Sequence, residues 1–133
     1  MGKFSADLGL LALRLFFGGI MMVGHGYPKL AGFAEKSATF PDPLGMGNSL
    51  SMASAVGAEF FCSLLLVLGV ATRLVALPLA FTMGVAFFIV HAADLFQQKE
   101  LALLYLVAFI SIALLGGGRF SLGRSLGGLS RWS

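Results

Sequence analysis

The sequence predicts an all-α integral membrane protein: a four-helix transmembrane bundle with a short interfacial segment in its first outer loop and an amphipathic C-terminal tail. Two observations carry this. Of the 133 residues, 58% are hydrophobic and only 11% charged, and mean hydropathy is +0.93, whereas soluble domains run near ~45–50% apolar and ~25% charged. The apolar residues also gather into four runs, 8–26, 52–71, 74–91 and 101–116. Each run comes close to the ~17–25 residues that cross a ~30 Å hydrocarbon layer, the last being the shortest. Long apolar runs without alternation form helices, because a backbone in lipid must satisfy its own hydrogen bonds. Residues 1–133 therefore read as one membrane domain.

The first run follows a start that resembles a signal peptide, but Arg14 interrupts it and no A-x-A-like cleavage site follows, so it is predicted to be a retained span. The loop 27–51 contains "GFAEKSATFPDPLGMGNS", whose aromatics, prolines and glycines predict a short interfacial helix and then a turn. The second run holds Ser54, Ala58 and Cys62 at four-residue spacing, and the third holds Ala76, Ala80 and Gly84 likewise. Such small-residue strips let helices approach closely in lipid. Pro78 is placed near the start of the third span, where a missing amide costs little. In the tail 117–133, Leu122, Leu126 and Leu129 share one helical face opposite Arg124 and Arg131, with Trp132 as an interfacial anchor.

Charge sets orientation. With four spans, Lys3, Arg73, Arg119, Arg124 and Arg131 share one side with Asp7, while Lys29, Lys36 and Lys99 share the other with Glu35, Asp42, Asp94 and Glu100. The Lys/Arg excess makes the first side cytoplasmic, so both termini are predicted inside. The net charge of +3 is scattered over segment ends and forms no basic stripe, so no nucleic-acid partner is expected. Cys62 is the single cysteine; it permits no intrachain disulfide and reads as a small packing residue.

Arg14, His25, Glu59 and His91 are the ionisable groups within or at the ends of the spans. A charge at a helix centre costs ~2.5–3.5 kcal/mol on insertion scales, so such groups face the bundle interior and pair. Arg14 and His25 are eleven residues apart, about three turns, and share one face; Lys29 extends that face if the helix runs past Pro28. Glu59, Ser63, Leu66 and Arg73 form a comparable line on the second span. Two arrangements fit. In one, Arg14–Glu59 is a buried ion pair fixing helix register. In the other, Glu59, His25 and His91, with Arg14 beneath, form a proton-handling pocket open to the outer leaflet. The histidines, methionines and Cys62 have no metal-ligand spacing, and no metal site is expected.

The segments "LRLFFGGIMMVGHGYPKL", "AEFFCSLLLVLGVATRL", "MGVAFFIVHAAD", "KELALLYL" and "GGGRFSLG" resemble the DoxX family of four-helix bacterial membrane proteins, over roughly residues 8–123. The stretch "TFPDPLGMGNSLS" is similar to a subgroup with a D-P-L-G motif in the first outer loop. The resemblance places the family's polar positions on Arg14, His25, Lys29, Glu59, Arg73, His91 and Glu100. The ending "GRFSLG" departs from the family's usual pattern, with Phe120 for Tyr and Gly123 for Asp, so no role is carried over to that acid. It implies the bacterial inner membrane and a group that includes the DoxD subunit of thiosulfate:quinone oxidoreductase. It further implies a subunit of a quinone-linked redox system, incomplete as an enzyme alone, in contact with membrane lipid, a quinone, a soluble redox partner and further copies of itself in a homo-oligomer. The alternative is a non-enzymatic factor that binds, assembles or transports a lipid, a small hydrophobic molecule or a partner protein, as distant eukaryotic cargo receptors suggest.

Overall fold

The computed structural model describes residues 2–125. Among these, four helices are long and apolar enough to cross a membrane: α1 (Gly2–Ala31), α2 (Asn48–Leu68), α3 (Thr72–Val90) and α4 (Phe96–Leu115). Their order alternates direction, so one end of the bundle carries the N-terminus and the α2–α3 turn. The other end carries the 32–47 loop and the α3–α4 connection. These are called the terminal end and the loop end.

Two helices outrun their apolar stretches. α1 starts at Gly2 and continues to Ala31, beyond the predicted 8–26. Pro28 does not stop it, because a π-helical turn over Met21–Gly26 precedes it and has already broken the regular ladder that a proline would interrupt. α4 begins at Phe96, taking the polar "QQKE" into its first turns. Conversely, α2 ends at Leu68, so Arg73 belongs to α3 and does not continue the Glu59–Ser63–Leu66 line. The turn after α2 uses Gly69 at φ 78°, with its amide donating to Leu65 O at 2.8 Å. A Cβ here would sit 2.7 Å from Arg14 Nη2, so both backbone and space require glycine.

The core is built from Met21, Ala58, Leu66, Ala76, Leu79, Phe109 and Ile112, with α3 and α4 the most extensively paired helices. Of the small-residue strips, Ala58 and Ala76 are buried, whereas Ser54 is exposed. Pro78 lies inside α3, on its exposed side, rather than in the first turn. Its carbonyl accepts Thr82 Oγ1 at 2.8 Å. In the first loop, a short helix at Phe33–Lys36 and a single 3-10 turn at Ser37–Thr39 precede the Pro-Gly segment.

Arg14 overturns the expected Arg14–Glu59 pair. It is 1% exposed and donates to four backbone carbonyls. Nε meets Leu66 O at 3.0 Å and Nη2 meets Val67 O at 2.9 Å. Nη1 meets Gly117 O at 3.0 Å and Phe120 O at 2.7 Å. The last turn of a helix leaves carbonyls without intrahelical partners, and a guanidinium's forked donors fit several at once. Arg14 thus lies at the terminal end and closes α2 onto the turn that follows α4. Asp7, which the sequence offered only as an orientation charge, is buried in the same region and accepts the Arg119 amide at 3.1 Å. Residues 117–123 are therefore part of this floor, with Gly117, Gly118 and Gly123 buried, and do not lie free as a surface tail. The amphipathic expectation for Leu126, Leu129, Arg131 and Trp132 falls outside the described residues.

Arg14→Lys keeps the charge but loses the fork. With a hydrogen bond to a charged group worth ~1.5–3 kcal/mol, the loss of at least one of the four bonds should cost at least ~1.5 kcal/mol, and Arg14→Leu should cost more. Thermal unfolding in detergent, followed by loss of the monodisperse peak, checks the order wild type, Lys, Leu.

Candidate functional site

The polar residues of the loop end sit on unusual backbone. His25 lies in the π-helical turn Met21–Gly26 of α1, and Glu59 lies in another, Gly57–Cys62, of α2. α3 closes with a third over Ala86–Val90, directly before His91. A π turn inserts one residue, re-aims the side chains around it and is frequent at functional positions, though the fourth one described, Arg14–Gly18, carries the arginine of the terminal end. Here each of the three turns carries or precedes one polar residue of the site.

Gly26 brings two of these turns together. A Cβ on it would lie 2.6 Å from Phe60 N and equally close to the Glu59 backbone, so α1 and α2 touch main chain to main chain. Close approach of this kind is what a small residue permits in lipid. It also places Lys29, one turn beyond His25, over the Glu59 carboxylate. Lys29 Nζ meets Glu59 Oε1 at 2.8 Å, with the two side chains 27% and 5% exposed. The lysine also reaches His25 O at 3.5 Å. Glu59's cation is thus Lys29, supplied by the continuation of α1 past Pro28, and not Arg14 at the opposite end.

A cavity of about 440 Å3 opens beside this pair. His25, Lys29, Glu59 and His91 all line it, together with Tyr105 from α4. Met21 and Met83 supply apolar floor. His25 is half-buried and packs edge-on against Tyr105, with ring centroids 5.7 Å apart. Tyr105 also meets Phe17 edge-on and stacks on Phe109. His91 sits at the rim, its Nδ1 2.7 Å from Asp94 Oδ2. Arg14 does not line the cavity. Arg73 is at the terminal end, with Nη2 3.4 Å from Leu115 O, and Glu100 is exposed and outside the lining. Cys62 is half-buried against the core. Among the described residues, no three His, Cys, Asp or Glu side chains converge to hold a metal ion.

Two contributors escape a reading of the sequence as a site. Tyr105 is 4% exposed, and its only signal is a lone hydroxyl in "LALLYLVAF". The other is the D-P-L-G turn. Phe40, Pro43, Leu44 and Met46 line the cavity as its roof. Asp42 fixes that roof by accepting Met46 N at 2.8 Å, Gly47 N at 2.9 Å and Ser51 Oγ at 2.8 Å. The Ser51 hydroxyl and then the Gly47 amide hold the Asp42 carboxyl below its ordinary range.

The arrangement gathers an ammonium, two imidazoles and a carboxylate within otherwise apolar walls. Fold and site together define a class: a four-helix membrane protein with a roofed polar cavity at one end. The chain belongs to the DoxX family, whose model matches residues 9–92, a stretch that includes His25, Lys29, Glu59 and His91. It is also 31% identical, over 130 residues covering 92% of this chain and 85% of the relative, to a Haemophilus influenzae protein described as uncharacterized. No solved structure matches it.

Removing one partner of the Lys29–Glu59 pair leaves a charge unmatched in an apolar wall, whereas removing both does not. Lys29→Met and Glu59→Gln should each destabilise, and the double variant should recover much of the loss. Thermal unfolding of the four proteins should give a coupling of ~1–3 kcal/mol. A second expectation concerns the roof. Because folding lowers the Asp42 pKa from its ordinary value of 3.8, the carboxylate's contribution is complete above that value and is lost as pH falls through the lower folded value. Hydrogen exchange at Met46 and Gly47, corrected for intrinsic rate, should rise at acid pH, and Asp42→Asn should raise it at neutral pH.

Proposed function

We propose that the chain is an inner-membrane subunit of a bacterial quinone-linked redox system, with the cavity holding the quinone head group. The observation that carries this is the Lys29–Glu59 pair set into apolar walls. Its volume of about 440 Å3 falls in the ~300–1,000 Å3 range of small-molecule sites. A quinone supplies two-electron chemistry, taking up two protons on reduction, with the electrons delivered by a soluble redox partner. The residues' part is binding and proton handling. Lys29 Nζ and the imidazole of His25 donate to a head-group oxygen. Glu59 holds Lys29 in place through Oε1 and exchanges a proton at its other carboxylate oxygen, Oε2. His91, with Asp94 behind it at 2.7 Å, relays between the rim and water. Tyr105 backs the His25 ring and fixes its plane.

The terminal end, with Lys3, Arg73, Arg119 and Arg124 against Asp7, faces the cytoplasm in this reading. The cavity then opens in the outer half of the membrane. Lipid surrounds the bundle, and further copies of the chain associate with it. A second reading, a non-enzymatic binding, assembly or transport factor, is favoured by the walls themselves, since Met21, Phe81, Met83 and Val85 would hold any hydrophobic molecule.

The deciding measurement is native mass spectrometry in lipid nanodiscs, with bound quinone extracted and quantified. Wild type should carry about one quinone per site, and Glu59→Gln and Lys29→Gln should each weaken binding ~10–100-fold, the loss of one charged hydrogen bond. Retention of quinone by both variants would end the assignment, and a lipid in place of quinone would transfer it to the second reading.

A further inference from the structure

The cavity is closed unequally. Toward water it is roofed by Phe40, Pro43, Leu44 and Met46, and the Asp42 bonds hold that roof to Ser51 on α2. Toward the bundle axis it ends on Tyr105 and Met21, 4% and 1% exposed. α2 packs on α3 through its later half, Gly57–Leu68, while the loop-end halves have different neighbours. Asn48–Val56 packs against Tyr27–Ala31 and Ser37–Thr39, and Ala86–Val90 packs against α4. Ser54 and Ala55 from α2, and Phe81 and Val85 from α3, line the cavity where these halves diverge in partners.

Phe81 lines the cavity and is also 63% exposed. It lies nine residues before the end of α3, which is ~14 Å along a helix rising ~1.5 Å per residue. Exposure at that depth is exposure to hydrocarbon, not to water. The same residue therefore faces the bilayer and the cavity.

We infer that the gap between α2 and α3 is a lateral portal through which the cavity takes a single-tailed amphiphile out of the bilayer. The head group lies at Lys29 and Glu59, and the tail runs out between Ser54–Ala55 and Phe81–Val85. The inference deepens the proposed function and rests on its reading of the cavity as a ligand site. A space of about 440 Å3 takes a ring-sized head but not a long isoprenoid or acyl tail as well, so the tail needs an apolar exit. The roof's hydrogen bonds oppose the aqueous route, and the parted helices supply the lipid one.

A buried reporter separates portal from ligand identity. In a Trp132→Phe background, Tyr105→Trp places the chain's single indole inside the cavity; Met83→Trp, from the facing helix, is the second reporter if the first variant misfolds. In nanodiscs with brominated acyl chains, the indole should be quenched, and adding Ser54→Phe to plug the gap should cut that quenching at least twofold. Quenching that ignores the plug overturns the portal, whatever the ligand. The second arm compares a decyl-tailed benzoquinone with the same ring lacking its tail. Ser54→Phe should weaken the tailed probe about tenfold, a loss of ~1.4 kcal/mol, and leave the tail-less ring within twofold. Plug-sensitive quenching without binding of either quinone would keep the portal and remove the quinone. Equal loss of both probes together with plug-insensitive quenching would remove the portal and keep the quinone.

Discussion

The bundle depends on the rule that no carbonyl or amide can be left unpaired in hydrocarbon. The hardest place to obey it is where α2 stops at Leu68 and α4 stops at Leu115, since each helix end presents carbonyls with no turn beyond them. Arg14 ties the two ends together with one side chain, bonding the Leu66 and Val67 carbonyls in the last turn of α2 and the Gly117 and Phe120 carbonyls in the turn that follows α4. A buried cation would ordinarily call for a carboxylate. Here the summed carbonyl dipoles serve instead, which leaves Glu59 free of it.

That division shapes the rest of the molecule. Two cations of α1, Arg14 and Lys29, lie about four turns apart, and each meets a different chemical partner. Arg14 meets backbone at the terminal end, and Lys29 meets Glu59 at the loop end. Stability and site chemistry are thereby assigned to opposite ends of the bundle. Gly26 joins them: by letting α1 touch the Glu59 backbone, it sets where the lysine arrives. The π turns at Met21–Gly26 and Gly57–Cys62 then rotate His25 and Glu59 toward the same space.

Much of the fold was legible because hydropathy is a local property, and four apolar runs in lipid leave few alternatives. The gathering of Glu59, His25 and His91 could be anticipated from helical spacing and antiparallel order. The partner of Glu59 could not, for two reasons. Choosing Lys29 over Arg14 required knowing that α1 passes Pro28, which turns on a π turn that has no residue signature. Assigning Arg14 to the other end required knowing which carbonyls are orphaned, and carbonyls are the same in every residue. Asp7 was hidden similarly, because its partner is the Arg119 amide and not a side chain. Tyr105 and Asp42 were visible as letters, but their roles depend on α4 and the first loop folding over a cavity that the two helices of the Glu59 pair only half enclose.

The reach of Arg14 across the chain has a consequence for biogenesis. Its bonds to Gly117 and Phe120 span 103 and 106 residues. During synthesis α1 enters the membrane first, with its guanidinium only partly answerable by α2. The last two acceptors arrive only after all four spans have been made. Closure of the bundle thus waits for the segment that follows α4, and a chain cut short before the glycine turn would carry an unmatched buried cation. The same residue that seals the finished bundle therefore leaves an unfinished one with a buried defect.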